Sequence, residues 1–179
     1  MERKFRVGVL GATGFVGQRF ITILENHPWF EVVTVAASER SAGKSYEEAV
    51  KGRWKLNLPI PEKVKSLVVK NLNQVDKISE ETDFVFCAVD MKKEEIYAFE
   101  EMYAKAETPV VSNNSAHRWT PDVPMVIPEI NPDHIKIIEV QRKRLGTRNG
   151  FIAVKPNCSI QSYVPAIYPL MDFKPEKVM

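Results

Sequence analysis

The chain has 179 residues, enough for one domain and part of a second at about 100–200 residues per domain. Charged residues make up 27% and hydrophobic residues 44%, close to globular averages, which excludes disorder and fibrous repeats. Lysine and arginine (25) against aspartate and glutamate (23) leave +2 with no dominant basic block, which makes nucleic acid and anionic membrane poor partners.

The elements follow in chain order. Phe5 to Leu10 (FRVGVL) is an apolar run of strand length, followed by a glycine turn and a helical pattern over Gly14 to Glu25. His27-Pro28 should end that helix, because proline cannot continue the hydrogen-bond ladder. Glu31 to Ala37 reads as a strand covered on both faces, and the polar stretch 38–61 as loop with one helical turn near Tyr46 to Val50. Further strands are expected at Ser66 to Val69, Asp83 to Val89, Pro109 to Ser112 and Phe151 to Val154. Helices are expected from Lys92 to Ala106, Pro132 to Arg144 and Asn157 to Met171, with Pro165 inside the last. A further strand is expected to start at 176–179. Alternating strands and helices predict an α/β fold of Rossmann type, a mostly parallel sheet with helices on both faces. No apolar run approaches the roughly 20 residues that cross a bilayer, and Met1-Glu2-Arg3-Lys4 leads straight into the first strand, so the expected location is cytoplasmic.

Gly11, Gly14 and Gly17 stand in GATGFVG between the first strand and the first helix. Glycine permits a tight turn and lets backbone amides approach a pyrophosphate, while the helix N-terminus supplies positive charge. A turn that merely connects strand to helix has the same composition; its place at the first βα junction favours dinucleotide binding. The second strand leads into Ser38-Glu39-Arg40-Ser41-Ala42-Gly43-Lys44. Two hydroxyls and two cations suit a 2′-phosphate, whereas Glu39 alone would suit a 2′-hydroxyl, so NADP is favoured over NAD.

The two cysteines are too few and too far apart for a disulfide scaffold or a zinc site, and no metal is expected. Cys87, inside DFVFCAV, reads as a packed thiol of low reactivity. Cys158 follows Lys155-Pro156-Asn157 and opens a helix; a helix N-terminus favours thiolate, the form that attacks carbonyls. A cysteine that only caps and packs would occupy the same position.

GATGFVG, SERSAGK (38–44), SNNSAHR (112–118), VIPEIN (126–131) and PNCS (156–159) together resemble aspartate-semialdehyde dehydrogenase of the archaeal and fungal-type branch, in its N-terminal portion. The resemblance covers nearly the whole chain. It implies NADPH-dependent reductive dephosphorylation of L-4-aspartyl phosphate to L-aspartate 4-semialdehyde, on the route to lysine, threonine, methionine and isoleucine. Cys158 matches the nucleophile that forms a thioester, Asn157 its polar neighbour, Arg118 the arginine that grips the phosphoryl group, and Gln161 a substrate-contacting glutamine, although its spacing from the cysteine is one residue short. Gly11, Thr13, Gly14, Phe15, Val16, Gly17, Ser38, Arg40 and Ser41 match cofactor contacts, with Cys87, Ala88, Ser112 and Asn113 near ribose and nicotinamide. The implied division is a dinucleotide-binding domain over 1–156 and the start of a truncated α+β catalytic and dimerisation domain over 157–179, within a homodimer or homotetramer. The family's acid/base histidine and the arginine for the substrate carboxylate would lie beyond residue 179, so the chain alone is expected to be inactive. His117 is read as structuring its loop or lying on the surface, His27 as a helix-end residue and His134 as a helix-start residue. Alternative readings are a sister acyl reductase, acting on malonyl-CoA or, less well matched around the cysteine, N-acetylglutamyl phosphate, and a non-catalytic NADP-binding module.

Overall fold

The computed structural model describes residues 3–174, 176 and 177. Six strands form one parallel sheet: β1 (Phe5–Leu10), β2 (Phe30–Ala37), β3 (Lys70–Asn71), β4 (Phe84–Cys87), β5 (Val110–Ser112) and β6 (Ile152–Val154). Their order is β3-β2-β1-β4-β5-β6, and every pairing is parallel. This is the doubly wound arrangement, whose strand order reverses beside β1, and ligands bind outside the carboxyl ends of the strands at such a point. The register sets Ala36, Leu10, Cys87, Ser112 and Val154 side by side across five strands. The segments that follow these residues therefore leave the sheet along one edge.

Seven α-helices are formed among the described residues: α1 (Phe15–Ile23), α2 (Tyr46–Val50), α3 (Glu62–Lys65), α4 (Val75–Glu81), α5 (Lys93–Lys105), α6 (Ile138–Leu145) and α7 (Cys158–Ile167), the last with no buried residue. On one side Val7, Val9, Ile21, Leu24, Val35 and Tyr46 form a buried cluster under α1 and α2. On the other, Leu10, Ile78, Val85, Cys87, Phe99, Tyr103, Val110 and Ile152 pack under α4 and α5. Both sheet faces exclude water, which is why β1, β2 and β4 read as near-continuous apolar runs rather than alternating ones.

Several boundaries differ from expectation. Helix α1 stops at Ile23, ahead of Pro28, because Asn26 turns the chain through a left-handed conformation at φ 55°. The strand expected at 66–69 is displaced to Lys70–Asn71, while Val68 makes an antiparallel bridge to Ser45. β4 ends at Cys87, not at Val89. The helix expected over 132–144 is a 3₁₀ turn, Pro132–Ile137, followed by α6, and the helix expected to reach Met171 ends at Ile167, with a 3₁₀ turn over Tyr168–Phe173. Helices α3 and α4 carry too short an apolar pattern to stand out; α4 buries only Val75 and Ile78. Of the strand expected at 176–179, residues 178 and 179 lie outside the described residues, and 176 and 177 are not in a strand. No helix among the described residues is long and apolar enough to cross a membrane.

Candidate functional site

The glycine turn is built against its neighbours so closely that side chains are excluded at two positions. Gly11 has φ +80°, and a Cβ there would lie 2.3 Å from the Ala88 carbonyl oxygen. A Cβ on Gly17 would lie 2.2 Å from the Gly11 carbonyl oxygen and 2.7 Å from Ala12 Cα. Gly14 differs: its φ is −76°, and a Cβ would meet only the Gly11 oxygen, at 3.3 Å. It is the N-cap of α1 and provides no side-chain cap, so the first N–H groups of the helix are left for another acceptor. Phe15 and Val16 begin the helix in solvent, 61% and 38% exposed.

Residues far along the chain hold this turn in place. The buried Tyr46 hydroxyl donates to the Ala12 carbonyl at 2.8 Å, and burial raises its pKa. Gln18, also buried, donates from Nε2 to the carbonyls of Thr13 and Arg53, both at 3.0 Å, and accepts from the Lys55 N–H at 2.9 Å. At the end of β2, Ser38, Glu39 and Arg40 are exposed, whereas Ser41 is buried and its hydroxyl accepts from Arg53 Nη2 at 3.2 Å. Arg53 thus joins the set of cations around the SERSAGK loop. The sequence pattern singled out none of Tyr46, Gln18 or Arg53, because the bonds from Tyr46 to Ala12, from Gln18 to Arg53 and from Arg53 to Ser41 span 34, 35 and 12 residues.

Cys87 is buried and unpaired, and burial pushes its thiol pKa well up. Its carbonyl oxygen accepts from the Asn113 N–H at 2.8 Å, which ties the end of β5 to the end of β4 beside Ala88. The Ser112 hydroxyl points inward to Glu100. Its backbone therefore borders the site while its side chain does not.

Cys158 is exposed as the first residue of α7. Asn157 caps that helix: its Oδ1 accepts from the Ser159 N–H at 2.9 Å and lies 3.6 Å from Cys158 Sγ. Arg118, 40 residues earlier, donates from Nε to the Lys155 carbonyl at 3.1 Å, so a guanidinium stands at the end of β6 three residues ahead of the thiol. The Lys155 ammonium is a second cation there, its pKa lowered by burial and then by the Arg118 charge. Gln161 follows on α7, partly buried, its N–H bonded to the Asn157 carbonyl at 3.2 Å. Cofactor turn, β4 and β5 ends, two cations and an exposed thiol thus gather on one sheet edge.

The histidines lie outside this chemistry. His117 is fully buried and stacked on Tyr97 with ring centroids 4.0 Å apart. Its Nε2–H donates to the Tyr97 carbonyl at 3.1 Å, which leaves Nδ1 to accept from the Thr120 hydroxyl at 3.2 Å. Burial lowers its pKa, as a neutral ring bonded on both sides requires. His27 Nδ1 accepts from the Trp29 and Phe30 N–H groups, both at 3.2 Å, after the end of α1. His134 lies in the 3₁₀ turn and contacts Met125.

The family described as semialdehyde dehydrogenase, NAD binding domain, matches residues 6–138. The chain is 43% identical over 171 residues to the aspartate-semialdehyde dehydrogenase of Archaeoglobus fulgidus, covering 94% of this chain and 47% of that protein. To the aspartate-semialdehyde dehydrogenase of Aspergillus fumigatus it is 41% identical over 157 residues, covering 88% and 42%. Among solved structures it resembles the Candida albicans aspartate-semialdehyde dehydrogenase with NADP, at TM-score 0.82 and 38% identity, covering 96% of this chain and 48% of that one. It also resembles aspartate-semialdehyde dehydrogenase II of Vibrio cholerae complexed with ASA, at TM-score 0.70 and 27% identity, covering 95% and 48%. The chain spans about half the length of the curated relatives it matches.

Proposed function

Because the chain belongs to the semialdehyde dehydrogenase family, whose NAD-binding domain matches residues 6–138, we propose that it is the cofactor-binding and nucleophile-bearing portion of an NADP-dependent aspartate-semialdehyde dehydrogenase. The reading rests most on one observation: an exposed thiol, Cys158, begins a helix on the sheet edge that carries the glycine turn, with Arg118 anchored three residues before it. On this reading residues 1–156 bind the cofactor and residues 157–179 begin the catalytic part.

The turn suits a dinucleotide. Gly11 and Gly17 leave no room for side chains, and the uncapped N-terminus of α1 offers N–H groups to a pyrophosphate. Thr13, Gly14, Phe15 and Val16 line that approach. Ser38 and Arg40, exposed at the end of β2, with Arg53 behind Ser41, favour a 2′-phosphate over the 2′-hydroxyl that Glu39 would accept. The backbone of Cys87, Ala88, Ser112 and Asn113 forms the far side, toward the nicotinamide.

In the biosynthetic direction the Cys158 thiolate attacks the acyl carbon of L-4-aspartyl phosphate, the S–C bond forms, and the C–O bond to phosphate breaks. Arg118 receives the departing phosphate, for which a planar donor fork is well matched, and the Lys155 ammonium adds charge on the same side. Asn157 fixes the start of α7 and so the direction of the thiol, and Gln161 contacts the substrate. Bound NADPH supplies the hydride that reduces the thioester to the aldehyde. Cys158 then leaves as thiolate and is ready for another turn. The small-molecule partners are aspartyl phosphate and phosphate, the products serve lysine, threonine and methionine biosynthesis in the cytoplasm, and the full-length protein assembles as a homodimer or homotetramer.

Replacing Cys158 by alanine should abolish acyl-enzyme formation and turnover in the full-length protein while NADPH binding persists. Turnover retained in that variant would reject the assignment. Rates on aspartyl phosphate, malonyl-CoA and N-acetylglutamyl phosphate identify the acyl donor, and the first is expected to be fastest.

A further inference from the structure

Glu100 lies on α5 with no exposure to solvent, and among the described residues no cation pairs with it. Its Oε1 accepts from the Ser112 hydroxyl and from Asn114 Nδ2, the latter at 2.9 Å, while its buried Oε2 has no hydrogen-bond partner. Burying a carboxylate is costly, more so with one oxygen unbonded, and an apolar side chain of similar volume packs there more cheaply. A carboxylate at this place needs a reason beyond filling the core.

The turn that it holds supplies one. Ser112 Oγ donates to Glu100 and accepts from the Asn114 N–H at 3.0 Å. Asn114 Nδ2 also lies 3.4 Å from Cys87 Sγ, and the Asn113 N–H donates to the Cys87 carbonyl at 2.8 Å. Ser112 and Asn114 are thus pulled inward, and Asn113 between them is half-buried, its side-chain amide engaged in no hydrogen bond among the described residues. Glu100 accepts from both flanking side chains, so a single buried oxygen ties the two sides of the 112–114 turn together.

We propose that Glu100 is a positioning residue for the nicotinamide half of the cofactor site, acting through Ser112 and Asn114 to fix the turn that presents Asn113. The proposal rests on the cofactor reading above. It differs from a general packing role in one respect: losing the Glu100 acceptor loosens one end of the dinucleotide and spares the other, because the glycine turn and the SERSAGK loop make no contact with Glu100 among the hydrogen bonds described.

The test uses two ligands with the full-length protein. NADPH spans both halves of the site, whereas adenosine 2′,5′-bisphosphate occupies only the adenosine half. Glu100→Leu should weaken NADPH binding by about ten-fold, roughly the net worth of a single hydrogen bond, because the bonds lost order the turn and do not themselves touch the cofactor. The same variant should bind adenosine 2′,5′-bisphosphate as the parent does. Glu100→Gln, which keeps an Oε1 acceptor, should restore NADPH affinity. The proposal is overturned if Glu100→Leu leaves NADPH affinity unchanged or weakens both ligands alike. Should Glu100→Leu fail to fold, Ser112→Ala removes the donor from the other side and is read by the same split. A parent protein that binds neither ligand rejects the cofactor reading itself, and a parent that binds both, with no split in either variant, rejects only the role of Glu100.

Discussion

Replacing Gly17 by alanine should force helix α1 away from the phosphate turn. The added methyl would sit 2.2 Å from the Gly11 oxygen, 2.7 Å from Ala12 Cα and 2.9 Å from the Ala12 carbonyl carbon, more than 1 Å short of ordinary contact at the first of these. All three atoms belong to backbone at the end of β1, which is paired on both sides and cannot yield as a flexible side chain would. Overpacking of this kind costs about 1–3 kcal/mol, and the upper end applies where the obstacle is backbone. At roughly 2–4 °C per kcal/mol for a protein of this size, the unfolding midpoint should fall by about 5–10 °C. Gly11→Ala should behave alike, since it combines φ +80° with a methyl 2.3 Å from the Ala88 oxygen. Gly14→Ala should not: only the Gly11 oxygen is near, at 3.3 Å, and φ is −76°, so the midpoint should move by no more than the roughly 2–4 °C that corresponds to the ~1 kcal/mol of an N-cap change. Its methyl would instead project where the pyrophosphate approaches the helix, and NADPH affinity should fall about ten-fold or more. Thermal unfolding beside an NADPH titration separates the two kinds of damage. Equal midpoints for Gly14→Ala and Gly17→Ala, or a Gly17→Ala protein as stable as the parent, would refute this division of labour.

Tyr46→Phe removes the hydroxyl that donates to Ala12 and leaves that carbonyl unsatisfied in the core, a loss of about 1–3 kcal/mol readable in denaturant unfolding. His117 has a folded-state pKa lowered by burial, so the unfolded chain takes up a proton first; stability should fall as pH drops below about 6.5, and His117→Gln should flatten that dependence in unfolding curves measured across it. Gly150→Ala should be among the most damaging single changes away from the site, because its Cβ would lie 1.8 Å from the Ala104 carbonyl oxygen of α5; expression and the unfolding midpoint report it. Arg118→Lys keeps charge but loses the Nε donor to Lys155 and the planar fork, so KM for the acyl phosphate should rise while NADPH affinity is unchanged.

Much of the sheet was legible because both its faces are covered: β1, β2 and β4 appear as mostly apolar runs, and GATGFVG marks the first turn. What stayed hidden has a common physical cause. β3 is two residues long and is set by pairing with Ala36 and Ala37 rather than by its own composition. The supports of the site are long-range as well: Tyr46 reaches Ala12 across 34 residues, Arg118 reaches Lys155 across 37, and Gln18 reaches Arg53 across 35. Polar residues such as Glu100 and Gln18 look solvated in sequence, and only the fold shows them buried and bonded. Cys87 and Cys158 were separable from the start, since one sits within an apolar strand and the other opens a helix after Pro-Asn.

The most direct measurement is a mass spectrum of the full-length protein mixed with L-4-aspartyl phosphate in the absence of NADPH, digested under acidic conditions. An aspartyl adduct should appear on the peptide carrying Cys158, disappear when NADPH is added, and be missing from Cys158→Ala. An adduct on any other residue, or steady turnover without modification of Cys158, would contradict the account.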